Sequence, residues 1–166
     1  YMKTLVTYMS QTGNTKKIAE AIYEEITGEK DIKDIKDVSN FEGYDLVFVG
    51  FPVQQFNIPE NVSEVVKENV AGKNIAFFMT HAVPEGTEAI HSWTGSCKDI
   101  AATGNYLGTF DCQGELAQPL IDRLLESDDP QMREFAQMGP STKGQPDESR
   151  VQKAREFAKE IQAKVQ

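Results

Sequence analysis

Short apolar runs of strand length alternate along this chain with longer stretches in which apolar residues return every three or four positions. Leu5, Val6, Tyr8 and Met9 form the first run. Ile18, Ile22 and Ile26 then recur every four residues with Ala19 beside them, which predicts a helix over 15–27 closed by Gly28. Ile32, Ile35 and Val38 recur every third residue among charges, so a second strand near 31–38 rests more on topology than on pattern. Leu46 to Phe51 is a continuous apolar run, as a central strand covered on both faces requires. A polar, Pro-bounded loop follows. Pro59 then sits where a first helical turn tolerates it, and Val62, Val65, Val66 and Val70 mark a helix that stops near Gly72. Ile75–Thr80 reads as the next strand. After the loop His81 to Gly86, Ile90, Trp93, Cys97, Ile100 and Ala101 keep helical spacing until Gly104, with Gly95 weakening the middle. Tyr106–Asp111 is the fifth strand.

Beyond Gly114 the pattern changes. Leu116, Leu120, Leu124 and Leu125 predict a helix, after which Asp128-Asp129-Pro130 and the segment Gly139–Pro146 interrupt. Residues 113–146 therefore read as an atypical extra segment before a final helix, whose stripe is Val151, Ala154, Ala158, Ile161 and Val165. Strands separated by helices of this length predict an α/β fold, an open doubly wound sheet of five parallel strands with helices on both faces. Ligands of such sheets bind at the carboxyl ends of the strands.

A length of 166 residues fits one domain, read here as 2–166 with Tyr1 set aside. The balance of 39% hydrophobic and 26% charged residues excludes a disordered or fibrous chain. The formal charge of −9 opposes binding to phosphate backbones and anionic lipid, so neither nucleic acid nor a membrane is expected as a partner. No apolar run reaches the roughly 18–20 residues that span a bilayer, and no secretory signal opens the chain, which predicts a cytoplasmic protein. Cys97 and Cys112 have no redox or zinc spacing and read as buried thiols. Cys112 also stands at the end of the last strand, on the ligand side of the sheet. His81 and His91 have no thiol or carboxylate cluster around them, so no metal is expected. Trp93 and Phe51 read as core residues.

The densest candidate chemistry is Ser10-Gln11-Thr12-Gly13-Asn14-Thr15, which joins the first strand to the first helix. Amides at a helix start lack intrahelical partners and carry about half a positive charge, and three hydroxyls and two side-chain amides stand beside them. That is an anion cradle of phosphate size. Asn14 or Thr15 capping the helix accounts for part of the polarity, but six such residues exceed what a cap needs. Neither the Walker pattern nor the three-glycine dinucleotide fingerprint is present.

The Ser-x-Thr-Gly-Asn-Thr loop after an initial strand resembles the FMN-phosphate loop of flavodoxins. The resemblance extends through Tyr44–Gly50 as the third strand and Ile75–Thr80 as the fourth, covering residues 3 to about 112. It implies a flavodoxin-like sheet of order 2-1-3-4-5 and noncovalently bound FMN. The phosphate would sit at Ser10, Gln11, Thr12, Gly13, Asn14 and Thr15, and the flavin ring between two loops. The first ring loop corresponds to Pro52, Val53, Gln54, Gln55, Phe56 and Asn57, the second to Thr80, His81, Ala82 and Gly86. Both loops depart from the family. Gln54 occupies a position where many members place Trp or Met, Phe56 falls two residues later, His81 replaces a tyrosine, and the small glycine of the first loop is missing.

The resemblance implies a carrier that shuttles electrons between redox partners, with the acidic surface steering partners that carry basic docking faces. No separate catalytic acid or base is required, because the flavin supplies the chemistry. An alternative on the same fold is an FMN-dependent NAD(P)H oxidoreductase acting on a quinone or another small acceptor, motivated by the altered ring loops and the segment after Cys112. A binding module without flavin is a third reading.

Overall fold

The computed structural model describes residues 2–54 and 57–165. In chain order its elements are β1 (Lys3–Tyr8), α1 (Asn14–Glu25), β2 (Glu29–Asp34), β3 (Leu46–Pro52), α2 (Glu60–Asn69), β4 (Asn74–His81), α3 (Glu88–Ile100), β5 (Asn105–Gln113), α4 (Gln118–Leu125), α5 (Pro130–Gln137) and α6 (Glu148–Val165). The strands form one parallel sheet in the order β2-β1-β3-β4-β5. That is the predicted topology.

The continuous apolar runs of β3 and β4 are explained by helices on both faces. Successive residues alternate between two cores: Leu5, Val47, Val49, Phe51, Ile75, Phe77 and Met79 face the layer of α2 and α3, with Val62, Val66, Trp93 and Cys97. Val6, Leu46, Phe48, Ala76 and Phe78 face the other layer, with Ile18 and Ile22 of α1 and Ala154, Ala158 and Ile161 of α6. Burying one such side chain contributes about 1.5–3 kcal/mol, so these two layers dominate stability. At the centre, Gly50 is required by packing. A Cβ there would stand 1.9 Å from a carbon of the Phe78 ring.

Three local expectations change. The strand predicted near 31–38 occupies Glu29–Asp34, and Ile35–Asp37 is a single 3-10 turn started by Asp34, whose carboxylate accepts from the Lys36 amide at 3.0 Å. The period of three in Ile32, Ile35 and Val38 belongs partly to that turn. Pro59 is the residue before α2, not within its first turn. The Asp128-Asp129-Pro130 stretch starts a helix: Asp129 accepts from the Gln131 amide at 2.9 Å, and Pro130 takes the first helical position, where its missing N–H costs nothing. The extra segment thus contains a helical hairpin, α4 and α5, followed by a 3-10 turn at Gly139–Thr142. No helix among the described residues is long and apolar enough to cross a membrane.

Candidate functional site

The loop after β1 is built so that its amides stay open. Met9 N–H still donates to the Gly50 carbonyl at 2.9 Å, after which the chain leaves the sheet. Ser10 turns its hydroxyl back to accept from the Gly13 amide at 3.1 Å. Gly13 then adopts φ +93°, a left-handed backbone that L side chains rarely take, and α1 begins with Lys17 N–H donating to the Gly13 carbonyl at 3.0 Å. Neither Asn14 nor Thr15 caps this helix: Gly13 stands at the cap position, and the Ser10 hydroxyl also accepts from the Lys16 amide at 3.4 Å. Among the described residues, the amides of Gln11, Thr12, Asn14 and Thr15 take no protein acceptor. The N-terminal end of a helix dipole adds to them.

Gln11, Thr12 and Asn14 line a cavity of about 1080 Å³ at the carboxyl ends of the strands. Ser10 and Gly13 shape the turn from behind. The Thr15 hydroxyl is buried and bonds the Thr80 hydroxyl at 2.9 Å, tying the loop to β4, so Thr12 is the threonine of this loop that lines the space. The Asn14 side-chain amide donates to the Glu115 carbonyl at 3.0 Å.

Two loops form further walls. After Pro52, Val53 N–H donates to the Thr80 carbonyl at 2.9 Å, and Gln54 and Asn57 exchange both backbone hydrogen bonds at 3.0 and 2.8 Å. Pro52, Val53, Gln54 and Asn57 line the cavity; Gln55 and Phe56 lie outside the described residues. Thr80, His81 and Ala82 line it from the end of β4, whereas Gly86, at φ +85°, does not. The His81 ring is pinned at both nitrogens, Nδ1 2.8 Å from the Val83 carbonyl and Nε2 2.9 Å from an Asp111 carboxylate oxygen. Its centroid lies 5.6 Å from that of Trp93. Both rings are buried and also border the cavity. Trp93 therefore belongs to the core and to the site wall at once.

The remaining wall comes from the extra segment. Gly114, Glu115, Leu116 and Ala117, then Leu120, Arg123 and Leu124 of α4, and Met132 and Phe135 of α5 complete the cavity. Sequence reasoning missed these residues. The spacing of Leu116, Leu120 and Leu124 signalled one apolar helix face, but what that face meets is a tertiary fact. The base of the segment is stitched to the cradle and to itself. Lys17 Nζ donates to the Pro146 carbonyl at 2.7 Å, Leu116 N–H to the Thr142 hydroxyl at 2.9 Å, and Gly144 N–H to a Glu115 carboxylate oxygen at 2.7 Å. A Cβ on Gly114 would fall 2.7 Å from the Asn14 side-chain nitrogen, so any larger residue here displaces the Asn14 side chain.

Cys112 packs in the layer of α1 and α6, is not part of the cavity wall, and has its thiol pushed up to about 12 by burial and then by the nearby Glu85 and Asp111. Burial likewise pushes the Cys97 thiol up to about 12. Neither is a nucleophile at neutral pH. Among the described residues no group of three or more His, Cys, Asp and Glu could hold a metal ion.

Comparison with known proteins gives concordant results. A family model described as a flavodoxin domain matches residues 5–159. The flavodoxin-like domain-containing protein BilS of Clostridioides difficile (strain CD3) is 37% identical over 174 residues, covering 99% of this chain and 98% of that protein. Oxidised flavodoxin 2 from Bacillus cereus superposes with TM-score 0.64 at 19% identity, covering 98% of this chain and 99% of its own. A flavoprotein from Lactobacillus acidophilus NCFM, solved in complex with FMN, gives TM-score 0.55 at 20% identity over 74% of this chain and 98% of its own.

Proposed function

Since this chain belongs to the flavodoxin domain family, we propose that it binds FMN and carries electrons between redox partner proteins in the cytoplasm, with residues 2–166 acting as one unit. The observation that carries the reading is the row of unpaired amides at Gln11, Thr12, Asn14 and Thr15, open to a cavity large enough for a flavin nucleotide. A phosphate ester there gains several charge-assisted hydrogen bonds without any cation. The ring would occupy the space between Pro52, Val53, Gln54 and Asn57 on one side and Thr80–Ala82 on the other. The chain's own work is to bind, orient and shield: the Thr15–Thr80 hydroxyl bond holds the phosphate end in register with the ring end, and Val53 N–H on the Thr80 carbonyl fixes the two ring loops to each other. Bound FMN supplies the electron-accepting chemistry. Two free, buried thiols suit a reducing compartment. The acidic balance of the chain suits partners with basic docking faces.

The test is an absorption titration of the purified protein with FMN and with riboflavin. A perturbed flavin spectrum and clearly tighter binding of FMN support the cradle, and equal affinities would refute it. Sustained oxidation of NADH or NADPH by the reconstituted protein alone, with a quinone as acceptor, would replace the carrier reading by that of an FMN-dependent oxidoreductase.

A further inference from the structure

The α4–α5 hairpin has little interior of its own. Ile121 and Ala136 are its buried apolar side chains, and Ile121 packs so tightly on Gly139 that a Cβ there would fall 2.4 Å from it. Leu116, Leu120, Leu124, Met132 and Phe135 stay half-buried and border the cavity. Two helices of eight residues each are too short to persist on propensity, and amphipathic helices of this kind are held by what their apolar face covers. Across the same space lie Val53, Ile58, Ala82 and Val83, and at one end the unpaired amides of the cradle.

Resting on the FMN reading above, we infer that the α4–α5 hairpin supplies a third wall of the flavin site, with Leu120, Leu124, Met132 and Phe135 packing on the isoalloxazine ring. The occupant is fixed by continuity: a molecule anchored by its phosphate at Gln11–Asn14 extends along a cavity whose far sides are apolar, and a planar fused ring is the part of FMN that such a slot takes. The Asn14 side chain on the Glu115 carbonyl and Lys17 Nζ on the Pro146 carbonyl join the anchor of the phosphate to the base of this wall. The wall thereby replaces part of the cover that Trp, Met and Tyr would give at the Gln54 and His81 positions.

Two measurements on the full chain test this. Hydrogen exchange of the wild type should slow across 118–137 when either FMN or riboflavin is added, and inorganic phosphate should protect 10–16 more than the hairpin. In the double variant Leu124→Ala/Phe135→Ala, affinity for FMN and for riboflavin should fall together by at least about tenfold, because each lost apolar contact acts on the ring that both share. Quenching of bound-flavin fluorescence by iodide should rise as well. Unchanged exchange in the hairpin, with wild-type flavin binding intact, overturns the wall and leaves the FMN reading standing. A wild type that binds no flavin removes both.

Discussion

The two ends of the cavity are made of different material. One end is backbone: a six-residue loop in which the amides of Gln11, Thr12, Asn14 and Thr15 are left open by a serine that turns inward and a glycine at positive φ. The other is side chain: leucines, a methionine and a phenylalanine on a hairpin that is anchored at its base and hardly touches the sheet. A backbone site depends on local conformation and can be read in a six-letter string. A side-chain wall depends on where a helix lands.

The same contrast separates the sheet layers from the hairpin in stability, and the largest predicted effect lies there. Ile22→Ala should cost about 2–5 kcal/mol in denaturant melts, since Ile22 is wholly buried between α1 and the sheet. Leu125→Ala, on the exposed side of α4, should stay within about 0.5 kcal/mol. Similar losses at the two positions would erase the distinction. Cys97 and Cys112 both lie in the sheet layers, so a thiol reagent at about pH 8 should label the protein only as fast as those layers open. Both thiols titrate higher folded than unfolded. Their contribution to stability is complete below about pH 9 and is lost as pH rises toward 12, which a series of alkaline melts would reveal.

Next in size is the phosphate end. Thr12→Ala should weaken FMN by about 1.5–3 kcal/mol, the value of a hydrogen bond to a charged group, while riboflavin affinity changes little. Thr15→Val should behave differently, lowering the melting point through its lost bond to Thr80 and weakening both flavins alike. If Thr15→Val alone discriminates against FMN, its hydroxyl turns to the ligand and the placement of the two threonines is reversed. Gly114→Ala should push Asn14 aside and break its bond to Glu115, costing about 1 kcal/mol. Calorimetry should show that loss together with weaker flavin binding. The smallest effect belongs to Arg123, an exposed cation that lines the cavity and makes no ion pair among the described residues. Arg123→Glu should lower the reduction potential of bound FMN, since a negative charge then faces a ring that gains electrons; an unchanged potential would place Arg123 away from it.

How much of this was legible in the sequence follows from the same division. The five parallel strands, the paired cores and the cradle follow from alternation, helical stripes and the Ser10–Thr15 string, whereas the sheet order came from the resemblance which that string carries. The second strand slipped because β2 is an edge strand crowded with Lys30, Asp31, Lys33 and Asp34, where burial leaves little periodic trace. α5 was hidden because Asp-Pro marks both a break and a helix start. The place of His81 was half visible: it was legible as the residue that follows the fourth strand, on the ligand side of the sheet, but its bonds to Asp111 and Val83 join residues far apart in sequence or folded by a local turn. The hairpin wall left only a leucine spacing, which says that a face exists and nothing of its neighbour.

Asn14 stands at a crossroads, its backbone amide free for an anion and its side chain grasping the Glu115 carbonyl. If grip on the anion and the posture of the hairpin share that residue, thermodynamic linkage makes their influence mutual and equal in free energy. A protein that settles on the outer surface of α4 and α5 would then tighten or loosen the hold on the nucleotide at a distance, and the nucleotide would repay the same factor in that protein's affinity.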